Sequence, residues 1–211
     1  MRRRTFDALV STGGLIIAIV LTVAGGLLLW GHSFADHNVK QQLSQQHIYF
    51  PATGDAQLKE PAIGNFLSKY AQPADAQGHG MQVTTGAQAY DYANHYIAVH
   101  MQAIGKGQTY SEVSGQYLGL LNTNPKDPRI PGLAQERQTL FMGDTLRGLL
   151  MNAYGFWKFG QIALVSAIVS FIGAGVLLLL SALGFWHLRR VSPAAEVLPG
   201  LGARAPAPVE R

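Results

Sequence analysis

Cysteine does not occur in these 211 residues, which excludes disulfides, thiolate metal centres and thiol nucleophiles and leaves packing as the means of stabilisation. Charge is scarce too, since Asp, Glu, Lys and Arg make up 13% of the chain, against about a quarter in soluble domains. The scarcity is local: no Asp, Glu, Lys or Arg stands between Asp7 and Asp36, or between Lys158 and Arg189. GxSxG, P-loop, dinucleotide-binding and HExxH patterns are all missing, so the chain offers no recognisable nucleophile, phosphate cradle or zinc motif. No internal repeat is found, and no alternating strand pattern runs longer than a few residues. A non-enzymatic protein without a cofactor is the expectation.

The uncharged runs are what is present. Leu9 to Trp30 and Gln161 to Trp186 are each long enough, at the helical rise, to cross a hydrocarbon core of roughly 30 Å. Trp30, Trp157 and Trp186 stand at the ends of these runs, where an indole is favoured at the level of the lipid headgroups. Arg2, Arg3 and Arg4 precede the first run and Arg189 with Arg190 follow the second, whereas residues 31–158 carry balanced charge. By the positive-inside rule both termini are cytoplasmic. Basic residues that flank apolar runs, rather than cluster on one surface, point away from nucleic acid and towards a bilayer. A cleaved signal peptide is the competing reading of the first run, with Ser33 and Ala35 as a small-x-small site. Its length exceeds the roughly 7 to 15 residues of an h-region, which favours retention.

The expected architecture is an all-α membrane protein: a cytoplasmic N-terminus over 1–8, a transmembrane helix over 9–30, an extracytoplasmic helical domain over 31–157, a second transmembrane helix with its outer junction over 158–186, and a disordered, Pro- and Ala-rich cytoplasmic tail over 187–211. The plasma membrane is the expected location. Small residues recur at helical spacing in both spans, Gly14, Ala18, Thr22 and Gly26 in the first and Ser166, Ser170 and Ala174 in the second. Such ladders let helix backbones approach closely in lipid, either within a specific helix pair or against a membrane protein partner or homo-oligomer; ordinary Gly and Ala richness of membrane helices explains them as well.

In the domain between the spans, the Gln-rich stretch Phe34 to Gln46 extends the first helix outward, and Tyr49, Phe50 and Pro51 break it. A short helix around Ala62 to Tyr70 precedes a polar loop, Gln72 to Gln82. The pairs Thr85 with Gln88 and Thr109 with Glu112 read as capping boxes opening helices from Gly86 to Ile104 and from Tyr110 to Leu121. Asn122 to Pro131, with three prolines, reads as a connector. Met142, Leu146, Leu149, Leu150, Ala153 and Trp157 then form one apolar stripe on a helix that leads into the second span, with Gly155 and Gly160 as points where it bends.

Six of the seven histidines lie in this domain. Asp91 with His95, and His32 with Asp36, are each four apart and present two metal-ligating groups on one helical face; a local hydrogen-bonded pair is the plainer account. Tyr90, Tyr92, Tyr96 and His100 give one helix an aromatic face that either lines a ligand pocket or packs as core. Asp144 and Arg147, three apart, read as a solvated ion pair.

The segments YFP at Tyr49 to Pro51, TTGAQAYDYANHYIAVH at Thr84 to His100, and TLFMGDTLRGLLMNAYGFWKFGQIA at Thr139 to Ala163 resemble a family of actinobacterial two-span membrane proteins that often carries the label aromatic ring-opening dioxygenase small subunit. The resemblance covers the chain from Arg2 to Arg190 and implies a plasma-membrane location; it brings no active site onto these residues. Three functions fit: an accessory or scaffold protein acting through helix packing with a membrane partner, an extracytoplasmic ligand-sensing module, and a histidine-dependent metalloenzyme.

Overall fold

A computed structural model of the chain describes residues 3–192. Arg2 and most of the expected tail, 193–211, lie outside the described residues. Within them the fold is all-helical, and the one β-type pairing is an isolated antiparallel bridge between Tyr49 and Gln82. The helices are α1 (Arg3–Gln45), α2 (Pro61–Leu67), α3 (Gly86–Tyr92), α4 (Ala98–Ile104), α5 (Tyr110–Thr123) and α6 (Ile130–Leu188). A wide π-helical turn, Ala93–Ile97, joins α3 to α4, and single 3₁₀ turns cover Ala56–Lys59 and Ser68–Tyr70.

The boundaries follow from local chemistry. Helix α1 ends where His47 takes a left-handed conformation (φ 51°), the usual way a helix stops, and Pro51 lies just beyond. Pro61 opens α2 at a position where a missing N–H costs nothing. Both capping boxes form as expected. Thr85 accepts from the Gln88 amide at 3.3 Å while the Gln88 side chain accepts from Thr85 N at 3.0 Å, and Thr109 with Glu112 repeats the exchange. The hydrogen bond from Thr109 N holds the Glu112 carboxyl below its ordinary range. The connector is shorter than expected, 124–129, because Pro131 falls in the first turn of α6 and does not interrupt it. In that connector the Arg129 guanidinium donates twice to Asp127, at 3.0 and 2.9 Å, and lowers its pKa to about 2. The helical ladder of α6 runs past Gly155 and Gly160 without a break.

The chain divides into two compact units. The first comprises residues up to Trp30 and from Ala163 onward. Here α1 and α6 lie antiparallel: a Cβ placed on Gly14 would come within 2.6 Å of Ser181 Oγ, and one on Gly25 within 3.0 Å of the Phe171 ring. The seam on α1 is Ser11, Gly14, Ala18, Leu21 and Gly25; on α6 it is Ala167, Ser170, Ala174, Leu177, Ser181 and Gly184. Spacings of three and four alternate on both sides, the 3.5-residue repeat of interlocking helices. Of the expected ladder, Gly14, Ala18, Ser170 and Ala174 lie in this seam. Thr22 turns its hydroxyl back onto the Ala18 carbonyl at 2.8 Å, and Gly26 faces open space. A strict four-residue step gains about 40° per repeat on a helix of 3.6 residues per turn, so a ladder that starts in the seam at Gly14 has left it by Gly26. Gly25 takes its place. Ser166 lies half-buried beside Ala167.

The second unit, Gly31–Ile162, packs the other parts of α1 and α6 with the short helices around one core, in which Phe50, Leu67 and Val83 are fully buried. The expected apolar stripe of α6 splits in two. Leu150 is buried and Ala153 and Trp157 pack against the core, whereas Met142 and Leu149 stand exposed. The loop over 72–82 is organised by Asp75, which accepts from the amides of Gln77 (2.9 Å) and His79 (2.7 Å); these bonds hold its carboxyl below the ordinary range.

Candidate functional site

Three of the four proposed ligands, His32, Asp91 and His95, find other partners in the fold. His32 Nδ1 lies 3.1 Å from the Gly160 carbonyl, which can only accept, so the ring donates there and ties α1 to α6. The two helices are close at this point, and a Cβ on Gly160 would lie 2.9 Å from that of Ala35. Asp36 is exposed and, among the described residues, takes part in no hydrogen bond or ion pair. Asp91 accepts from Tyr70 Oη and Lys69 Nζ, each at 2.7 Å. That hydrogen bond raises the Lys69 pKa, and burial followed by the same carboxylate raises that of Tyr70. His95 stacks flat on Phe66, with centroids 3.6 Å apart. Asp91 and His95 therefore secure two different packings, and no group of three or more His, Asp or Glu suited to a metal ion occurs among the described residues.

The aromatic face is a packed ladder. Tyr70 stacks on Phe50 at 4.4 Å, Phe50 meets Tyr92 edge-on at 5.5 Å, Tyr92 stacks on Tyr96 at 4.6 Å, and His100 lies tilted against Tyr96 at 4.5 Å. Burial pushes the Tyr92 hydroxyl far above its usual range, so it stays neutral. Tyr90 leaves this group and packs on Tyr154 of α6 at 4.7 Å, since two residues along a helix are about 200° apart. Phe50 belongs to the core, and Tyr70, Tyr92 and Tyr96, half-buried, pack against it.

The expected Asp144–Arg147 ion pair does not form. Arg147 instead reaches across to the π-helical turn, donating from Nη2 to Asn94 Oδ1 at 2.9 Å, with its Nε enclosed and unpaired. A half-buried guanidinium needs a fixed acceptor, and Asn94 is held in place by its own bond to the Tyr90 carbonyl at 3.1 Å. Asp144 remains in solvent.

Of the three tryptophans, Trp30 and Trp186 are exposed, and the Arg190 guanidinium lies 4.2 Å above the Trp186 ring. Trp157 is different. Its Cβ and ring pack directly on Gly86, at the N-terminus of α3, where a methyl group would overlap it. That role gives no sign in the sequence, because Gly86 is 71 positions away.

What the second unit does leave open is a cleft of about 290 Å³ between the end of α1 from Asn38, with Gln46 and Ile48 just beyond it, and Leu146–Phe156 of α6. Val39, Leu43, Ile48, Leu146, Leu149 and Phe156 make its walls, and four carboxamides, Asn38, Gln42, Gln46 and Asn152, stand among them; no charged side chain lines it. Leu149 is 64% exposed at its lip. A wider depression of about 770 Å³ between α5 and the start of α6 is shallow and carries Lys106, Arg129 and Glu136. Sequence reasoning missed the cleft. Its signal was the pair of neutral amides at Asn38 and Gln42 on one face of α1, with Gln46 keeping the same spacing just past the helix end. A charge-free apolar cleft flanked by amides suits a helix or another apolar surface, and comparison of the chain with family models, with curated proteins and with solved structures finds no match to any of them.

Proposed function

We propose that this chain is a two-span plasma-membrane protein with cytoplasmic termini and residues 31–157 on the outer side, serving as a non-enzymatic docking subunit. Two helices are long and apolar enough to cross a bilayer, and only 11% of the most apolar window of each is buried, whereas the core helix of a soluble protein is mostly covered. The seam explains how the two spans recognise each other, so their small residues serve the internal pair first.

The cleft of α1 and α6 carries the docking reading. It presents apolar walls to the outside with neutral amides to pair the partner's polar groups, and it holds no nucleophile, acid or base. His32 and His95 are taken up by the Gly160 carbonyl and the Phe66 ring, which favours docking over a metalloenzyme. The test is a photo-crosslinking residue at Gln42 in the full-length chain, in native membranes. We expect a protein adduct that disappears on Leu149→Arg and is absent when the crosslinker stands at Lys40, exposed on another face of α1. Equal labelling at both positions, or none at either, would remove the docking reading.

A further inference from the structure

The geometry points to a binding site for one anionic phospholipid between α1 and α6, in the cytoplasmic leaflet of the two-span reading on which this inference rests. All of its residues belong to the first unit. Towards Arg3, the two helices leave a groove of about 380 Å³ walled by Phe6, Val10, Leu177, Leu180 and Leu183. Val10, Leu180 and Leu183 are exposed, so the groove opens sideways, where the bilayer of that reading lies. From Leu177 to His187 it runs for about 15 Å at the helical rise, half of a hydrocarbon core of roughly 30 Å. A groove one leaflet deep fits a single acyl chain, whereas a partner's spanning helix would need the full thickness.

Charge at the mouth selects the headgroup. On α1, Arg3, Phe6 and Val10 follow one another at i, i+3 and i+7, and from α6 Leu183, His187 and Arg190 follow at i, i+4 and i+7. Each wall of the groove therefore leads, along its own face, to an arginine. Arg190 lies just past the end of α6, but its N–H donates to the His187 carbonyl at 2.8 Å, which continues the turn, and its guanidinium is held above the Trp186 ring. Both arginines are exposed, and among the described residues neither pairs with a carboxylate. Asp7, which also lines the groove, keeps its Oδ2 enclosed 4.0 Å from His187 Nε2. Two unpaired guanidiniums at the end of an acyl groove match a phosphate with net negative charge; a zwitterionic headgroup would bring its own ammonium to the same place. Arg189, equally exposed, stands about 120° round the helix from Leu183 and supplies the comparison.

The test uses the full-length chain in vesicles of equal phosphatidylglycerol and phosphatidylcholine with identical acyl chains. Released in mild detergent and weighed by native mass spectrometry, it should retain phosphatidylglycerol in preference. Arg3→Gln and Arg190→Gln should each cut that preference about fivefold, the effect of one basic residue near an anionic headgroup, whereas Arg189→Gln should leave it unchanged. Arg3→Lys with Arg190→Lys should keep it, since an ammonium also serves a phosphate. Val10→Trp fills the groove with every charge in place and should abolish it. Equal retention of the two lipids by the wild-type chain, or equal losses from Arg189→Gln and Arg190→Gln, would leave only diffuse surface charge and overturn the site. Undiminished preference in Val10→Trp would overturn it as well, by removing the acyl chain from the groove. In each of these cases the two-span reading stands. A chain that alkaline carbonate strips from cell membranes would overturn that reading, and the lipid site with it.

Discussion

Trp157 and Gly86 show how a single residue can be decided by a neighbour far along the chain. The indole lies over the first turn of α3 because Gly86 has no side chain, and any Cβ there would meet the rigid base of the tryptophan rather than a flexible tip. Gly86→Ala should therefore destabilise the purified protein by about 1–3 kcal/mol, as overpacking in a filled core does. Gly115, in the interior of α5 with open space around it, is the control. There the same substitution removes the conformational freedom of glycine and should be neutral or stabilise by up to about 1 kcal/mol. Thermal and denaturant unfolding of the two variants in detergent would show the opposite signs, and equal losses at both sites would contradict the packing. The sequence marked Trp157 as the end of an apolar run, which it is; the contact that covers it lies in a dimension that a one-dimensional pattern does not contain.

At the level of elements, the paired helices of the first unit set a 3.5-residue repeat that a search for four-residue ladders reads only in part. Ser11→Cys with Gly184→Cys tests the seam, because a Cβ on Gly184 would lie 3.2 Å from that of Ser11, near the roughly 3.5–4.5 Å of a disulfide. Mild oxidation should join these two positions within one chain, seen by intact mass and electrophoretic mobility. Gly26→Cys with Gly175→Cys, both facing open space, should stay reduced within the monomer. Joining of the second pair in preference to the first would refute the register. Much of the helical layout was legible beforehand, since it depends on neighbours within four residues: the two capping boxes, the end of the first helix ahead of Tyr49 to Pro51 and the loop after Tyr70 all follow from local hydrogen bonding and backbone geometry. The π-helical turn at Ala93–Ile97 was not legible, nor was Arg147 choosing Asn94 over Asp144. Both are set by how α3 and α4 meet α6, a contact 53 residues apart for Asn94 and Arg147. The candidate site fared the same way, because Asp91, His95 and His32 are all drawn to partners that helical spacing cannot reveal.

For the whole molecule the testable question is which side of a bilayer each part occupies, and the cysteine-free chain again helps. Gln77→Cys, in the exposed loop, should react with a membrane-impermeant maleimide on intact cells, and Ser192→Cys should be protected until the cells are opened. Labelling of position 192 from outside, with protection at 77, would invert the proposed topology. That same loop has a further use that follows from how it is hung. Thr53 N donates to Gln72 O at 2.8 Å and Phe50 N to Met81 O at 2.9 Å, so both mouths of the loop are fastened to one short stretch of chain. Extra residues spliced between Gln77 and Gly78 would lengthen a closed loop whose ends are already held, and closure entropy grows by only about 0.6 kcal/mol for each doubling of length. An epitope or a fluorescent reporter placed there would disturb little beyond the Asp75 turn, leaving the cleft and the helical seam free for imaging and pull-down in living cells.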